Sequence, residues 1–206
     1  MFKVLVLYAH PRPDRSEANA RLVSAARSIE GVTVVDLYAE YPRFEIDVDR
    51  EQARLIEHDV IVFQHPVFWY SSPALLKEWQ DLVLEHGFAY GSEGHALDGK
   101  ILLNAVTAGA REDVYDRNGK YEMSLRQYFA PFEHTALLCR MRYLSPFALY
   151  AAGHAAEEDR LQPHVDRYRR LLQALVEGWL DLDRAERSPC LRAELDDFIQ
   201  IPEGTR

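Results

Sequence analysis

The sequence predicts an α/β fold, a three-layer α/β/α sandwich built around a five-stranded parallel sheet. Two observations lead to this fold class. Residues 4–9 (VLVLYA) form a continuous apolar run of strand length, which is typical of a strand that helices cover on both faces. Similar runs alternate with amphipathic helical segments five times along the chain, and this alternation requires parallel strands joined by right-handed crossovers.

The predicted elements follow one another in a regular order. Ser16 is a suitable N-cap for the first helix, and Gly31 is a suitable terminator. The predicted strands cover residues 4–9, 32–37, 60–63, 101–106 and 141–150. Further helices are expected over 49–57, over 124–138, where Pro131 marks a kink or a late start, and over 155–182, where Pro163 breaks the first turns.

Residues 60–83 form the segment around which the rest of the chain is organised, a strand, a loop and a helix. Pro73 suits the first helical position and Ser72 suits the N-cap, while Gly87 is expected to end the helix. The apolar side chains of this helix recur at core-facing spacing: Leu75, Leu76, Trp79, Leu82 and Val83. Trp69 and Tyr70 therefore lie on a loop that leaves the carboxyl end of a buried strand, where open α/β sheets bind ligands.

Length and composition favour one domain over residues 1–206, with a core at 3–182 and a C-terminal tail at 183–206 that carries no firm signal. A chain of 206 residues with 48% apolar composition can bury a substantial core. The formal net charge of −9, with no basic block, argues against nucleic-acid binding.

Cysteine spacing and hydropathy indicate a cytoplasmic protein. Cys139 and Cys190 belong to no metal-spaced or CxxC cluster, which fits a reducing compartment without disulfides, and the histidines suggest no metal site. No leader precedes the first strand, and no run approaches the length needed to span a bilayer. Any association with a membrane is expected to occur through a partner.

The loop after the first strand can form an anion site. It carries no G-x-G-x-x-G fingerprint, and no P-loop motif occurs in the chain. The loop instead delivers Ser16, Glu17, Ala18 and Asn19 as the first turn of a helix, where free amide groups and the helix dipole favour a phosphate. His10, Arg12 and Arg15 lie close by in the sequence and can add charge or hydrogen-bond donors.

Three loops are expected to meet at one edge of the sheet, because parallel strands end there together. The first can bind a phosphate, the second offers Trp69 and Tyr70 to a planar ring, and the third contains Gly109, whose missing Cβ allows a close approach. A phosphate at one end and a planar heterocycle at the other describe a flavin nucleotide.

Several runs of the chain resemble the flavodoxin-like NAD(P)H:quinone oxidoreductases, and are most similar to the ancillary flavoproteins of the glutathione-gated Kef potassium-efflux systems. The resemblance covers residues 3 to about 150. It is carried by LYAHP with SEAN, LYAEYPRFEIDVDREQ, VIVFQHPVFWYSSPALLKEWQDLVLEHGFAYG and LDGK.

The resemblance implies a flavodoxin-like fold with strand order 2-1-3-4-5, and a homodimer with the flavin near the subunit interface. It also implies bound FMN, with FAD possible, and two-electron reduction of quinones by NAD(P)H. It assigns the cofactor contacts to three groups: His10, Ser16, Glu17, Ala18 and Asn19 at the phosphate and ribityl chain; Val67, Phe68, Trp69 and Tyr70 beside the ring; and Thr107, Ala108, Gly109 and Ala110 along its other edge.

One tyrosine of this chain matches the family pattern, and a second stands where the family has another residue. Tyr115 matches a tyrosine that helps the ring accept and release charge, and Tyr121 stands where the wider group has a histidine; both lie in the polar segment 111–123. The pair Gly109-Ala110 also replaces two adjacent glycines. These departures bear on the substrate pocket and on proton transfer more than on flavin binding.

Two other functions fit the same residues. One is a regulatory ancillary subunit that docks on the cytoplasmic face of a potassium/proton antiporter and turns over slowly or not at all. The other is an electron-transfer flavodoxin, which would need no nicotinamide pocket.

Overall fold

The computed structural model describes residues 1–116, 119, 122–191 and 195–202, and its central element is a twisted parallel sheet. The strands are β1 (Val4–Tyr8), β2 (Val32–Asp36), β3 (Val60–Pro66), β4 (Ile101–Thr107), β5 (Arg142–Tyr143) and β6 (Phe147–Leu149). Their order in the sheet is β2-β1-β3-β4-β5, and β6 also pairs with β4 in parallel. This arrangement confirms the predicted fold class and strand order.

The predicted fifth strand at 141–150 is wrong in one respect, because it consists of two short strands. Residues 144–146 interrupt it. The amide of Ser145 donates to the carbonyl oxygen of Ala185 rather than to β4. Pro146 has no amide hydrogen, so it cannot continue the ladder.

Helices cover both faces of the sheet. They are α1 (Glu17–Arg27), α2 (Leu37–Glu40), α3 (Val48–Glu57), α4 (Ala74–Val83), α5 (Leu125–Tyr128), α6 (Ala130–Leu138), α7 (Leu161–Glu177), α8 (Leu182–Arg187) and α9 (Leu195–Phe198). Short 3₁₀ turns lie at Pro13–Arg15, Glu112–Tyr115 and Ala152–His154. Among the helices in the described ranges, none is both long enough and apolar enough to cross a bilayer.

The predicted N-cap of α1 is confirmed, but its predicted end is wrong, because α1 ends at Arg27 with Ser28 at the C-cap and not at Gly31. The Ser16 hydroxyl caps α1 by accepting a hydrogen bond from the Asn19 amide, as expected. Pro73, not Ser72, occupies the N-cap of α4, and this helix ends at Val83, four residues before Gly87.

The helix predicted over 49–57 is confirmed as α3, whereas the last two predicted helices are shorter than expected. The helical stretch at 124–138 is divided at Phe129, so Pro131 lies in the first turn of α6 and marks a late start. Helix α7 begins at Leu161 instead of residue 155. It ends at Glu177, because Gly178 adopts a left-handed conformation with φ 72°.

The hydrophobic core consists of two clusters on opposite faces of the sheet. Val4 and Val6 of β1 face the cluster that contains α1 and α7, whereas Leu5 and Leu7 face the cluster that contains α4 and α6. This alternation follows from the period of two along a strand. The C-terminal segment is part of the first cluster, through the buried side chains of Leu191, Leu195 and Phe198.

A buried carboxylate fixes the helices next to the β3 loop. Glu51 is fully buried and accepts hydrogen bonds from the Trp79 indole (2.9 Å) and the Tyr41 hydroxyl (2.6 Å). It also forms an ion pair with Arg54. Both carboxylate oxygens of Glu51 are engaged, so its charge is compensated inside the protein. The hydrogen bond to Trp79 joins α3 to α4, the helix that follows the loop carrying Trp69.

Candidate functional site

The three loops predicted to meet do meet at the carboxyl edge of the sheet. The Asn19 side chain donates to the Thr107 hydroxyl (2.9 Å), which joins the start of α1 to the end of β4. The amide of Val67 donates to the carbonyl oxygen of Thr107 (2.8 Å), which joins the loops after β3 and β4. The ring centroids of His10 and Phe68 lie 5.9 Å apart, edge to face, which joins the loops after β1 and β3.

The start of α1 has the features of an anion site. Its first-turn amides at Glu17 and Ala18 have no acceptor within the helix, and the helix dipole adds partial positive charge there. Asn19 is fully buried and donates to the Ser16 hydroxyl (3.0 Å) as well as to Thr107. The other end of its side-chain amide has no hydrogen-bond partner within the described residues. A ligand hydroxyl would supply that partner.

His10 is a neutral hydrogen-bonding group beside this site. Burial is the largest effect on its pKa and lowers it, although Asp14 and Asp36 act in the opposite direction. Its Nδ1 accepts the amide hydrogen of Arg12 (3.0 Å), so the remaining proton lies on Nε2. His10 can therefore donate a hydrogen bond to a phosphate without adding a charge.

The loop after β3 is a two-residue turn with an unusual backbone. Phe68 and Ser71 exchange two backbone hydrogen bonds of 3.0 Å, and between them Trp69 (φ 48°) and Tyr70 (φ 64°) are both left-handed. Turns of this geometry favour Asn-Gly, because non-glycine residues are strained with positive φ. The turn projects Trp69 into solvent with 92% of its surface exposed. Strain of this kind is concentrated at functional sites.

The loop after β4 is held on one side and open on the other. The amide of Ala108 donates to the carbonyl oxygen of Leu149, and the amide of Ala151 donates to that of Ala110 (both 2.8 Å). A Cβ added to Gly109 would meet no atom within 4 Å, so the exposed backbone of this residue faces open space. The loop is thus a fixed backbone edge that a flat ligand can approach closely.

Arg160 holds the turn next to the β4 loop, and no sequence pattern indicated this role. Its guanidinium donates to the carbonyl oxygens of Tyr150 (3.0 Å) and Ala151 (3.2 Å) and to the Glu158 carboxylate. Ala151 is left-handed, with φ 46°. Arg160 therefore fixes the strained turn on which the β4 loop rests.

Tyrosine rings form a continuous row beside the β3 and β4 loops. Tyr70 stacks on Tyr128 with ring centroids 4.9 Å apart, and Tyr128 lies edge to face with Tyr115 at 6.0 Å. Tyr115, nine-tenths buried, is 5.6 Å from Tyr150. The structure thus brings Tyr115 to the site. Tyr121 lies outside the described residues.

His65 is part of the scaffold beneath the site. It is fully buried, its Nδ1 lies 2.9 Å from the carbonyl oxygen of Pro66, and its Nε2 lies 3.1 Å from the side-chain oxygen of Asn104. Burial lowers its pKa, whereas the hydrogen bonds to these two oxygens act in the opposite direction. Within the described residues there is no group of three or more histidines, cysteines and acidic residues that could bind a metal ion.

These observations fit a phosphorylated planar ligand. The anion site, the unsatisfied end of the Asn19 amide and the open face of Gly109 lie along one edge, and Trp69 and Tyr70 border it. Each of the three loops supplies a different part of such a ligand's contacts, and the hydrogen bonds between the loops fix their spacing.

Comparison with known proteins agrees with this fold. The Flavodoxin_2 family model, described as a flavodoxin-like fold, matches residues 2–172. The "Glutathione-regulated potassium-efflux system ancillary protein KefG" of Pectobacterium carotovorum is 49% identical over 163 residues, which cover 79% of this chain and 86% of the relative. The "Uncharacterized NAD(P)H oxidoreductase YrkL" of Bacillus subtilis is 45% identical over 157 residues, 76% of this chain and 90% of the relative.

Two solved structures are also similar. The general stress protein 14 of Treponema denticola, in complex with FMN, has 37% identity and a TM-score of 0.75, and the match covers 85% of this chain and 98% of that one. An NADPH-quinone reductase from P. pentosaceus has 28% identity and a TM-score of 0.74, and the match covers 82% and 96%.

Proposed function

The chain belongs to the Flavodoxin_2 family of flavodoxin-like proteins, and from this premise we propose that it is an FMN-dependent NAD(P)H:quinone oxidoreductase. The observation that carries the proposal is the junction of three loops at one sheet edge, with an anion site at one end and aromatic and glycine contacts at the other. The proposal draws support from the relative named as an NAD(P)H oxidoreductase and from the structures described with FMN and as a quinone reductase.

The proposed cofactor contacts follow the three loops. The first-turn amides of α1 bind the phosphate, with His10 as a neutral donor. The side-chain oxygen of Asn19, which has no partner within the described residues, accepts a hydrogen bond from a hydroxyl group of the ribityl chain. The full proposed set is His10, Ser16, Glu17, Ala18, Asn19, Val67, Phe68, Trp69, Tyr70, Thr107, Ala108, Gly109 and Ala110, with Tyr115 and Tyr121 proposed as catalytic.

The chemistry supplied by a bound flavin is hydride uptake from NAD(P)H and two-electron reduction of a quinone, in a ping-pong sequence. The protein orients the reactants and stabilises negative charge. The amides of Val67, Phe68 and Ala108 already donate within the protein, so we assign charge stabilisation to the backbone of Gly109 and Ala110. Tyr115, held by its neighbouring tyrosine rings, is positioned to donate a proton.

The first experiment identifies the cofactor and the reaction. Purified protein is denatured, the released chromophore is identified as FMN or FAD, and NAD(P)H oxidation is followed with a quinone. Ser16→Ala should weaken FMN binding, because it removes the cap at the anion end of α1, whereas Ser28→Ala at the opposite end of α1 should not. Colourless protein that refuses added flavin would refute the proposal.

A regulatory role is the second candidate, and the identity to a potassium-efflux ancillary protein favours it. In this role the flavoprotein would dock on the cytoplasmic face of the inner membrane through an antiporter. Bound flavin with no measurable quinone turnover would favour regulation over catalysis. Brisk turnover would favour the enzyme, although one protein can do both.

We also propose that the protein is a homodimer whose interface includes the β3 turn. Trp69 and Phe68 expose large apolar surfaces next to the site, 92% and 41% respectively. Covering them with a second copy would remove apolar surface from water. Sedimentation equilibrium of the wild type and of Trp69→Asn tests this, because loss of the ring should weaken self-association.

A further inference from the structure

A series of buried hydrogen bonds leads from α7 through the sheet to the start of α1. Its middle member, Gln64, lies near the end of the central strand β3 and is fully buried. Such strands are mostly apolar, because a buried polar group costs free energy unless it is hydrogen-bonded. Both ends of the Gln64 side chain are matched. Its Oε1 accepts from the Tyr168 hydroxyl (3.0 Å), and its Nε2 donates to the main-chain carbonyl oxygen of Asn19 (3.4 Å).

Tyr168 anchors this series in the core. It lies on α7, is fully buried, and its ring stacks on Phe147 of β6 with the ring centroids 5.6 Å apart. Burial raises its pKa, so the hydroxyl keeps its proton and donates it to the hydrogen bond with Gln64. Helix α7 packs along α1, and both helices contribute side chains to one core cluster. The Tyr168 hydroxyl is therefore held in place by packing, and it fixes the orientation of the Gln64 amide.

The other end of the series is the first turn of α1. Asn19 is the third residue of this helix and is fully buried. Its side chain donates to the hydroxyl groups of Thr107 (2.9 Å) and Ser16 (3.0 Å), while its main-chain carbonyl oxygen accepts from Gln64. The turn is thus joined to β4 through a side chain and to β3 through the main chain. These two connections set the direction in which the free amides of the turn point.

Hydrogen bonds in this position supply direction more than net stability. Replacing both partners of a buried hydrogen bond by apolar groups of the same shape is often neutral or stabilising. A hydrogen bond, however, fixes the relative orientation of two elements, which apolar contacts specify less strictly. The element that Gln64 and Tyr168 orient is the turn that carries the anion site.

We propose that Tyr168 and Gln64 are positioning residues for the cofactor site, and that they hold the first turn of α1 so that its free amides point at the flavin phosphate. Both side chains already have partners inside the protein, so they act through Asn19 and not on the flavin itself. The inference rests on the proposed function. Its consequence is selective, because breaking the series misplaces the phosphate contacts and leaves the loops after β3 and β4 in place.

The test is Tyr168→Phe, which removes the hydroxyl and keeps the packed ring. The matched control is Tyr41→Phe. The Tyr41 hydroxyl also donates to a fully buried side chain, that of Glu51, but Tyr41 belongs to the core cluster on the other face of the sheet. Dissociation constants of the apoproteins for FMN and for riboflavin are measured by fluorescence titration, under conditions in which urea denaturation shows each variant to be folded. Riboflavin has the same ring and ribityl chain as FMN and lacks only the phosphate.

Tyr168→Phe should raise the FMN dissociation constant by about threefold to tenfold, and the riboflavin constant by less than about twofold. Tyr41→Phe should leave both constants at the wild-type level, whatever it does to stability. Gln64→Met should reproduce the effect of Tyr168→Phe on FMN. Adding Tyr168→Phe to Gln64→Met should weaken FMN binding no further, because the series of hydrogen bonds is already broken.

The outcomes separate the positioning role from the proposed function. Equal FMN affinities of Tyr168→Phe and Tyr41→Phe would overturn the positioning role and leave the proposed function intact. An equal loss of affinity for FMN and riboflavin would also overturn it, because the effect would then not lie at the phosphate. A wild-type protein that binds neither flavin would refute the proposed function and, with it, this inference.

Discussion

Replacing Trp69 by asparagine separates the strain of the β3 turn from its function. Trp69 is left-handed and 92% exposed, so its ring makes little contact with the rest of the protein. Asparagine adopts this conformation more easily than other non-glycine residues and is common in such turns. The substitution therefore relieves strain and removes the aromatic surface proposed to lie beside the ligand.

The structure sets the size of both effects. A left-handed non-glycine residue costs roughly 1–2 kcal/mol, of which asparagine recovers a part. Because about a tenth of the tryptophan is buried, its removal costs roughly 0.5 kcal/mol at most. We expect Trp69→Asn to raise the free energy of unfolding by about 0.5–1 kcal/mol, or the melting temperature by roughly 1–4 °C. Loss of an aromatic stacking partner should weaken FMN binding roughly two- to tenfold.

Urea denaturation of the apoprotein measures the stability, because bound ligand would add its own contribution. Fluorescence titration measures FMN binding. Trp69→Phe is the control, since it keeps an aromatic ring and the left-handed backbone and should match the wild type in both measurements. A Trp69→Asn variant that is less stable than the wild type at low protein concentration would refute the strain argument. Unchanged FMN affinity would remove Trp69 from the cofactor contacts.

Three further predictions concern groups that support the site. Arg160→Gln loses charged hydrogen bonds to the turn under the β4 loop and should weaken FMN binding roughly threefold to thirtyfold by fluorescence titration, whereas the exposed Arg169→Gln on α7 should not. Glu51→Gln should lower the free energy of unfolding by about 1–3 kcal/mol in urea, because it leaves buried donors unmatched. Burial lowers the pKa of both His10 and His65, so the unfolded chain binds more protons below about pH 6.5. Apoprotein stability should therefore fall as pH drops through that region, and His10→Asn should make the fall shallower.

Local patterns predicted the sheet, because its central strands β1, β3 and β4 are buried on both faces and therefore read as apolar runs. The predicted order of strands is confirmed. The same reasoning failed at the last strand, where the hydrogen bond from Ser145 to Ala185 depends on a contact 40 residues away in sequence. Apolar periodicity carries no information about such a contact.

The C-terminal segment was not predictable for a related reason. Its helices α8 and α9 have six and four residues, too short for a periodic signal. They are fixed by distant partners, such as the ion pairs of Arg142 with Asp183 and Glu186. We propose that residues 1–206 form one domain, since this segment shares a core cluster with α7.

At the candidate site, the sequence predicted which loops lie together but not their backbone geometry. Ser16 was predictable as a cap because capping depends on neighbouring residues alone. The bond between Asn19 and Thr107 spans 88 residues, and only the rule that parallel strands end together brings the two segments near each other. The left-handed pair Trp69-Tyr70 carries no turn signal, since the expected Asn-Gly is absent. Arg160 was missed because it acts through backbone carbonyls.

The exposed ring of Trp69 has two proposed partners, the flavin and a second copy of the chain. The other parts of the candidate site are fixed by hydrogen bonds inside the protein, at Asn19 and at Ala108. Trp69 projects away from these contacts, and its exposed ring can stack on a ligand or on a second chain. If FMN affinity falls in Trp69→Asn while the dimer persists, the ring serves the cofactor and catalysis. If the dimer weakens while FMN affinity stays unchanged, the strained turn serves the subunit interface instead.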